Sequence, residues 1–169
     1  IYNRLLSNPD RTSKESILID TSWNPEGKWT LYIFNFSPFI SKVASRIGLD
    51  REAEIFEGED DLYVWTAHEH QREKLACVLV DEAQFLTPKQ VLQLTLIVDK
   101  LKIPVLCYGL RTDFRGEPFP GSMYLMAWAD ELVELKTICK SGKKATFNAR
   151  LDEDGNRVTE GDQVSIGLN

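Results

Sequence analysis

The sequence predicts an α/β fold in which a parallel sheet is flanked by helices in three layers. Two unbroken apolar runs, at residues 76–80 and 105–108, suit parallel strands that are covered on both faces. The segment between them carries the signals of a capped helix, so the three pieces form a strand–helix–strand crossover unit. Ligands of such sheets bind beyond the carboxyl ends of the strands, so the residues that follow each strand are candidates for a functional site.

The first of these strands ends in two adjacent carboxylates, Asp81 and Glu82. Neighbouring residues at a strand end point in different directions, so one carboxylate can hold a metal ion while the other moves a proton. Polar residues also end many strands without any chemical role. Taken alone, the pair favours that simpler interpretation.

The crossover helix has a clear start at Thr87, which is an N-cap residue followed by a proline at the first helical position. Gln90 completes a capping box. Ile103-Pro104 ends the pattern, and the second strand then leads into a loop at residues 109–119, on the same sheet edge as Asp81. One face of the helix is apolar, and it is formed by Val91, Leu94, Val98 and Leu101.

Three further features lie outside this unit. A helix is expected from Asp60 to Leu75, where His68 and His70 are too close in sequence to share a face and are expected in solvent. Trp128 is expected to have a packing role. An Asp-Gly turn within residues 152–156 predicts a hairpin.

Together these stretches resemble the bacterial branch of the thymidine kinase family, whose members have a P-loop α/β core and a zinc ribbon. The resemblance rests on VASRIGL at 43–49, CVLVDEAQF at 77–85, PVLCYGLRTDFRG at 104–116 and LVELKTIC at 132–139. It runs almost without gaps from residue 42 to about residue 167. It implies magnesium- and ATP-dependent phosphoryl transfer to the 5′-hydroxyl of thymidine or deoxyuridine, in nucleotide salvage.

The resemblance also assigns roles to individual residues. Asp81 matches the aspartate that orients Mg²⁺ on ATP, Glu82 matches the general base, and Gln84 belongs to the nucleotide-binding set. Arg46 matches an arginine that offsets charge on the transferred group, a task that suits a planar guanidinium. The pocket for the thymine base is implied to contain Phe85, Leu110, Phe114 and Phe119. Without the surrounding motifs, Arg46 would be read as a surface residue and the phenylalanines as core.

A phosphate-binding loop has one candidate, residues 22–30, after a short apolar strand at Ser16–Asp20. Trp29 stands where a magnesium-ligating hydroxyl is needed, Glu26 adds negative charge, and Pro25 removes an amide donor. The loop is either a damaged P-loop or a chance likeness. Its matches to the bacterial pattern are Ser22, Gly27, Lys28 and Thr30.

The amino-terminal region is also too short for the family pattern. Only 17 residues separate Lys28 from Arg46, and a helix, a strand and their loops do not fit in that space. Residues 30–39 instead have the aromatic-rich composition of a strand. The predicted organisation is an unmatched arm at 1–15, a P-loop-like core at 16–136, and an incomplete lasso and zinc-ribbon subdomain at 137–169.

We expect no zinc in that last segment. Family members carry two cysteine pairs there, whereas this sequence has Cys139-Lys140-Ser141 and reaches Asn169 without a second pair. Structural zinc needs four ligands, so Cys139 is interpreted as a lone remnant ligand. The remaining piece is expected to be a β-hairpin remnant of the zinc ribbon, without the family's lid over the nucleoside.

Composition narrows the class of partner. The net charge of −6, the pI of about 5.0 and the lack of a basic stripe in the sequence argue against a nucleic-acid polymer as the ligand. Three cysteines, two of them in apolar strands, fit a reducing cytoplasm, and neither a membrane-length apolar run nor a signal peptide is visible. By resemblance, the partners are thymidine, ATP, thymidine triphosphate as a feedback ligand, and further copies of the chain in a tetramer.

Three functions are compatible with these observations. The first is an ATP-dependent thymidine kinase. The second is a catalytically impaired relic that binds nucleotide or partner chains without turnover, as the altered loop at 22–30 suggests. The third is an interaction domain that keeps the core as a scaffold and uses residues 1–40 for a new purpose.

Overall fold

The computed structural model describes residues 30–36, 42–44, 50–135, 138–139, 142–145 and 147–161. In chain order, the strands are β1 (Thr30–Asn35), β2 (Lys42–Ala44), β3 (Asp50–Glu52), β4 (Glu54–Ile55), β5 (Leu75–Asp81), β6 (Val105–Cys107), β7 (Arg150–Leu151) and β8 (Arg157–Val158). The helices are α1 (Leu62–Arg72), α2 (Pro88–Leu96) and α3 (Pro120–Trp128), and a short 3₁₀ turn spans Ala83–Phe85.

The central sheet has four parallel strands in the order β4-β1-β5-β6. Its register places Asn35 beside Asp81 and Val80 beside Cys107. Two antiparallel pairs, β2 with β3 and β7 with β8, lie outside this sheet. The predicted α/β class, the parallel sheet and the crossover from β5 through α2 to β6 are confirmed.

Helix α2 begins where the sequence predicts. The Thr87 hydroxyl accepts the Gln90 N–H at 3.2 Å, and the Gln90 side chain accepts the Thr87 N–H at 3.0 Å. The helix continues as a π-helical turn at Ile97–Leu101 and ends at Lys102, which has a φ of 58°. Both backbone donors at the helix start are therefore satisfied, which stabilises the crossover.

The two faces of the sheet belong to separate apolar clusters. On one face, Val78 and Val80 pack with buried residues of all three helices, among them Leu62, Val91 and Leu125. The opposite face contributes a second cluster, Ile33, Ala53, Cys77, Leu79 and Leu106. Strand β5 is thus buried on both faces, as its unbroken apolar run predicts. Helices on both faces, and hence three layers, stay a prediction.

Other predictions are confirmed in part. Helix α1 lies inside the predicted range of residues 60–75, and Asp61 caps it through the Val64 N–H. The hairpin forms, with the Gly155 N–H donating to the Asp152 carbonyl and Gly155 at a φ of 82°. Its origin as a zinc-ribbon remnant stays a prediction, as do the proposed domain boundaries.

Trp128 and His70 differ from expectation. Trp128 is 44% exposed, and its ring makes an edge-to-face contact with Tyr124, at 5.1 Å between ring centroids. His70 is not fully solvated, because its Nδ1 accepts the Leu75 N–H at 3.0 Å. In the described part of the chain, no helix has both the length and the apolar character needed to cross a membrane.

Candidate active site

The carboxyl edge of the sheet is assembled from the ends of three strands. Asp81 closes β5 and lies in register with Asn35, the last residue of β1. Beyond β6, the Tyr108 N–H donates to the Val80 carbonyl, and the Tyr108 carbonyl accepts the Ala83 N–H at 2.8 Å. The backbone that follows β5 is therefore fixed against the backbone that follows β6.

Glu82 occupies a left-handed backbone conformation, with φ 53° and ψ 35°. The left-handed region of backbone conformation is energetically unfavourable for a residue that is neither glycine nor asparagine. Residues in such strained conformations are found frequently at functional sites. The Glu82 N–H donates to Asp81 Oδ1 at 3.0 Å. The Glu82 side chain is exposed while Asp81 is half-buried, so the structure brings the two carboxylates together in different environments.

Gln84 is buried within the 3₁₀ turn and has partners inside the protein. Its Nε2 donates to Glu82 Oε2 at 2.5 Å, and its Oε1 accepts the Leu110 N–H at 3.1 Å. Both ends of the side-chain amide are thus engaged next to the acidic pair. The sequence places Gln84 in a nucleotide-binding set, and the structure gives it neighbouring protein groups as partners.

Aromatic side chains form a connected group at the same edge. The Phe85 ring lies 4.9 Å from the Phe36 ring and 5.6 Å from the Phe119 ring, measured between centroids. Phe36 also packs on Phe56 at 5.4 Å. Phe36 and Phe85 are half-buried, whereas Phe119 is buried. Partly exposed aromatic faces beside two carboxylates can receive a planar, apolar group such as a nucleobase.

The loop at 109–119 is organised by the buried carboxylate of Asp113. Its Oδ1 accepts the N–H groups of Arg115 and Glu117, and its Oδ2 accepts Arg115 Nε at 2.8 Å. Burial raises the pKa of Asp113, but these hydrogen bonds and the positive charge of Arg115 outweigh it, so that the pKa is lowered. The loop is therefore built around an ionised group.

The β7–β8 hairpin packs on this loop through two arginines. The Arg150 guanidinium lies 3.9 Å from the centre of the Phe114 ring, and Arg157 Nη2 donates to the Phe114 carbonyl at 3.3 Å. Phe114 is buried under this cation–π contact. Leu110 is 45% exposed. The four residues predicted for the base pocket thus divide into Phe85 with Phe119, an arginine-covered Phe114, and an exposed Leu110.

The carboxyl edge of the sheet has one carboxylate that suits a magnesium ion as a ligand. Mg²⁺ is held by one or two carboxylates together with substrate phosphates and water, and the half-buried Asp81 supplies one carboxylate. Its Oδ1 is engaged by the Glu82 N–H. Among the described residues no cluster of three or more acidic, histidine or cysteine side chains could hold a metal. The residues present fit an ion that is shared with a nucleotide.

The structure does not place several of the predicted residues at this edge. Arg46 lies outside the described residues, and for Cys139 the structure gives a backbone hydrogen bond from its N–H to the Lys143 carbonyl at 2.8 Å. Thr30 opens β1 in register with Leu75, at the opposite end of the sheet from Asp81, and its hydroxyl donates to Glu73 at 2.7 Å. The structure does not bring Thr30 to the edge. Also outside the described residues are the strand at 16–20 and Ser22, Gly27 and Lys28.

Sequence reasoning missed Asn35 and Phe36 at this edge. The strand-like composition of residues 30–39 signals a strand there, but not that its last residue lies beside Asp81. It also missed two glycines: a Cβ on Gly109 would lie 2.6 Å from Gln84 Oε1, and one on Gly121 would lie 2.7 Å from the Gln84 carbonyl oxygen. Both glycines allow the turn at 83–85 to pack closely.

Comparisons with known proteins agree on one family. The family model for thymidine kinase matches residues 37–168. A thymidine kinase of Legionella pneumophila (strain Lens) is 54% identical over 165 residues, covering 92% of this chain and 78% of the relative. Thymidine kinases of Vibrio vulnificus (strain YJ016) and Pasteurella multocida (strain Pm70) are 61% and 59% identical over 130 residues, covering 77% of this chain and 68% of each relative. The Legionella alignment covers 92% of this chain, which is more than residues 37–168 amount to. The similarity therefore extends to residues before position 37.

Proposed function

Because this chain belongs to the thymidine kinase family, we propose that it transfers the γ-phosphoryl group of ATP to the 5′-hydroxyl of thymidine or deoxyuridine. The observation that carries this proposal is the Asp81–Glu82 pair at the carboxyl edge of the parallel sheet. Catalysis of phosphoryl transfer consists mainly of positioning and charge stabilisation. One anchored carboxylate beside one exposed carboxylate suits that chemistry.

Glu82 is the general base in this proposal. Its exposed carboxylate accepts the proton of the 5′-hydroxyl as the hydroxyl oxygen attacks the γ-phosphorus and the bond to the β,γ-bridging oxygen breaks. The left-handed backbone at Glu82 directs the chain away from the strand immediately after Asp81. The two adjacent carboxylates can therefore serve different partners.

Asp81 is the residue that would hold Mg²⁺, by resemblance and by the fit of its carboxylate. When bound, the ion neutralises charge on the nucleotide phosphates. The hydrogen bond from the Glu82 N–H keeps the Asp81 side chain at the end of β5. Arg46, Ser22, Gly27 and Lys28 are proposed phosphate-binding residues by resemblance alone.

The aromatic group of Phe36, Phe85 and Phe119 is the proposed wall for the thymine base. The Phe85 ring lies between the other two in this chain of contacts, 4.9 Å from Phe36 and 5.6 Å from Phe119 between ring centroids. Phe114 shapes the loop from beneath Arg150. Feedback by thymidine triphosphate, a tetramer and a cytoplasmic location are expectations from the resemblance.

Magnesium-dependent formation of thymidine monophosphate by the purified chain tests the proposal. Glu82→Gln removes the proton acceptor and should lower kcat by about 10²–10⁴-fold, the range typical of general-base catalysis. Asp81→Asn should also abolish most activity. Glu59→Gln, a change at an exposed carboxylate outside the edge, is the control and should leave the rate unchanged.

Equal rates for Glu82→Gln and the unmodified chain would contradict the proposed mechanism. The comparisons give no specific support to the alternative of a catalytically impaired relic. A folded chain without turnover, whose melting temperature rises with ATP or thymidine triphosphate, would establish that alternative instead, because ligands that bind the folded state stabilise it.

A further inference from the structure

We propose that Gln84 is a positioning residue that holds the Glu82 carboxylate and connects it to the start of the loop at 109–119. The inference rests on the proposed role of Glu82 as the general base. It gives Gln84 a role other than direct nucleotide binding.

The hydrogen bonds of Gln84 determine how its amide is oriented. A carboxylate accepts hydrogen bonds and a backbone N–H donates them. Nε2 must therefore face Glu82, and Oε1 must face Leu110, as the distances of 2.5 Å and 3.1 Å show. Gln84 is only 2% exposed, so a nucleotide could reach this amide only by displacing one of two internal partners.

Leu110 is held from both sides. Its N–H donates to Gln84, and its carbonyl accepts the hydroxyl of the fully buried Ser122 at 2.5 Å. Ser122 belongs to α3, which begins immediately after the loop. Both ends of the loop are thereby fixed relative to the turn that carries Glu82.

Gly109 makes this connection sterically possible. A Cβ at this position would lie 2.6 Å from Gln84 Oε1 and 2.9 Å from the Gln84 backbone nitrogen, closer than real Cβ contacts allow. The glycine thus lets the backbone before Leu110 approach the glutamine side chain. The amide at position 84 couples an otherwise exposed carboxylate to the loop that contains Phe114 and Phe119.

Two other buried glutamines show how this chain uses the residue. Gln90 donates to the carbonyls of Glu57 and Asp60, and Gln93 accepts the Leu62 N–H at 3.1 Å. In both cases a helix side chain secures a neighbouring backbone segment. Gln84 makes the same type of bridge, but one of its partners is the proposed general base.

Gln84→Met tests the inference, because methionine has a similar size and flexibility but provides no N–H donor. We expect kcat to fall about 10- to 100-fold through misplacement of Glu82, with the KM for ATP changed by less than about twofold. Gln93→Met is the matched control: it should lower the melting temperature, since a buried N–H loses its acceptor, and leave kcat unchanged.

A double-mutant cycle separates positioning from general stability. In a Glu82→Gln background, Gln84→Met should cause no further loss of kcat, because its effect passes through the missing carboxylate. A similar loss in both backgrounds would indicate a purely structural role and overturn the inference. Full kcat for Gln84→Met in the otherwise unmodified chain would overturn it as well.

Gln84→Glu is the second variant should methionine prevent folding. It keeps an acceptor for the Leu110 N–H and replaces the donor to Glu82 with a repelling carboxylate, so kcat should fall while the KM for thymidine is retained. If Glu82→Gln is as active as the unmodified chain, the proposed function fails. If Glu82→Gln is inactive and the Gln84 variants are fully active, only the positioning role fails.

Discussion

At the scale of single residues, Asp113 shows how one buried carboxylate can shape the loop beside the site. Its two oxygens have separate tasks: Oδ1 accepts two backbone N–H groups, and Oδ2 accepts the Arg115 side chain. Because the pKa of Asp113 is lowered in the folded state, its stabilising effect is fully present above its unfolded pKa of about 3.9. That effect is lost as the pH falls through the folded value.

Two substitutions of Asp113 should therefore differ. Asp113→Asn keeps an oxygen for the backbone donors of Arg115 and Glu117, whereas Asp113→Ala leaves both donors and the arginine without this partner. We expect the alanine variant to melt at a lower temperature than the asparagine variant at pH 7, with a higher KM for thymidine. Thermal melts from pH 7 to pH 3 should show the difference between the unmodified chain and Asp113→Asn shrinking below about pH 4.

Equal melting temperatures for the two Asp113 variants would contradict this division of tasks. A difference in melting temperature between the unmodified chain and Asp113→Asn that persisted at pH 3 would also contradict it.

Residue positions were predictable from sequence where a local pattern defines them. Asp81 and Glu82 follow an unbroken apolar run, so their place at the strand end follows from that run alone. The partners of Gln84 were not predictable in this way, because Leu110 lies 26 positions further along the chain. Phe36 was missed because its contact with Phe85 depends on which strands are neighbours, and local sequence carries no such information.

At the scale of elements, helix α3 packs against the turn at 83–86 through Gly121. A Cβ on Gly121 would lie 2.7 Å from the carbonyl oxygens of Gln84 and Leu86, and 2.8 Å from that of Ala83. All three atoms belong to the backbone, so the turn itself would have to move. The turn carries Glu82 at its start, so the first turn of α3 influences the site.

Gly121→Ala should thus destabilise the protein although alanine favours helices. Overpacking of a close contact typically costs about 1–3 kcal/mol, whereas the propensity gain of alanine over glycine is about 1 kcal/mol. Urea unfolding measures the net loss, and kcat should fall with it. Gly58→Ala is the control, since its Cβ would meet Thr87 Cγ2 at an ordinary 3.5 Å. Equal stabilities for the two variants would show that the turn can shift at little cost.

Elements with strong local signals were predicted well. The start of α2 at Thr87 was identified to the residue, because capping depends on adjacent positions. Residues 30–39 were expected to be strand-like, and β1 occupies 30–35. The assignment of Thr30 to a phosphate loop does not agree with its place in the sheet, because such a loop precedes a helix and Thr30 instead opens a strand.

At the scale of the whole molecule, strand order determines what the site contains. Strand β5 lies between β1 and β6, and all three are parallel, so their carboxyl ends meet at one edge. That order places Asn35 beside Asp81 and puts Thr30 at the opposite end of its strand, about 17 Å away across the five residue steps from Thr30 to Asn35. Sequence patterns predicted a parallel sheet but not this order, since pairing arises from contacts between distant segments.

The protonation of His70, one of the two histidines in the chain, should contribute to the pH dependence of the protein's stability. His70 Nδ1 accepts the Leu75 N–H where β5 begins, and protonation would remove that acceptor. Burial, followed by the nearby charge of Lys74, lowers the pKa of His70. The folded state therefore binds this proton less readily than the unfolded state, whose value is about 6.5. The stabilisation is present above that pH and is lost as the pH falls through the folded value.

We thus expect the melting temperature to decrease between pH 7 and pH 5, and His70→Asn to reduce that decrease because the new side chain does not titrate. His68→Asn is the matched control, since His68 is exposed on the same helix and should leave the slope unchanged. Thermal melts of the unmodified chain and the two variants between pH 7 and pH 5 measure these slopes and test the prediction. If His70→Asn has the slope of the unmodified chain, the Leu75 contact does not couple protonation to folding.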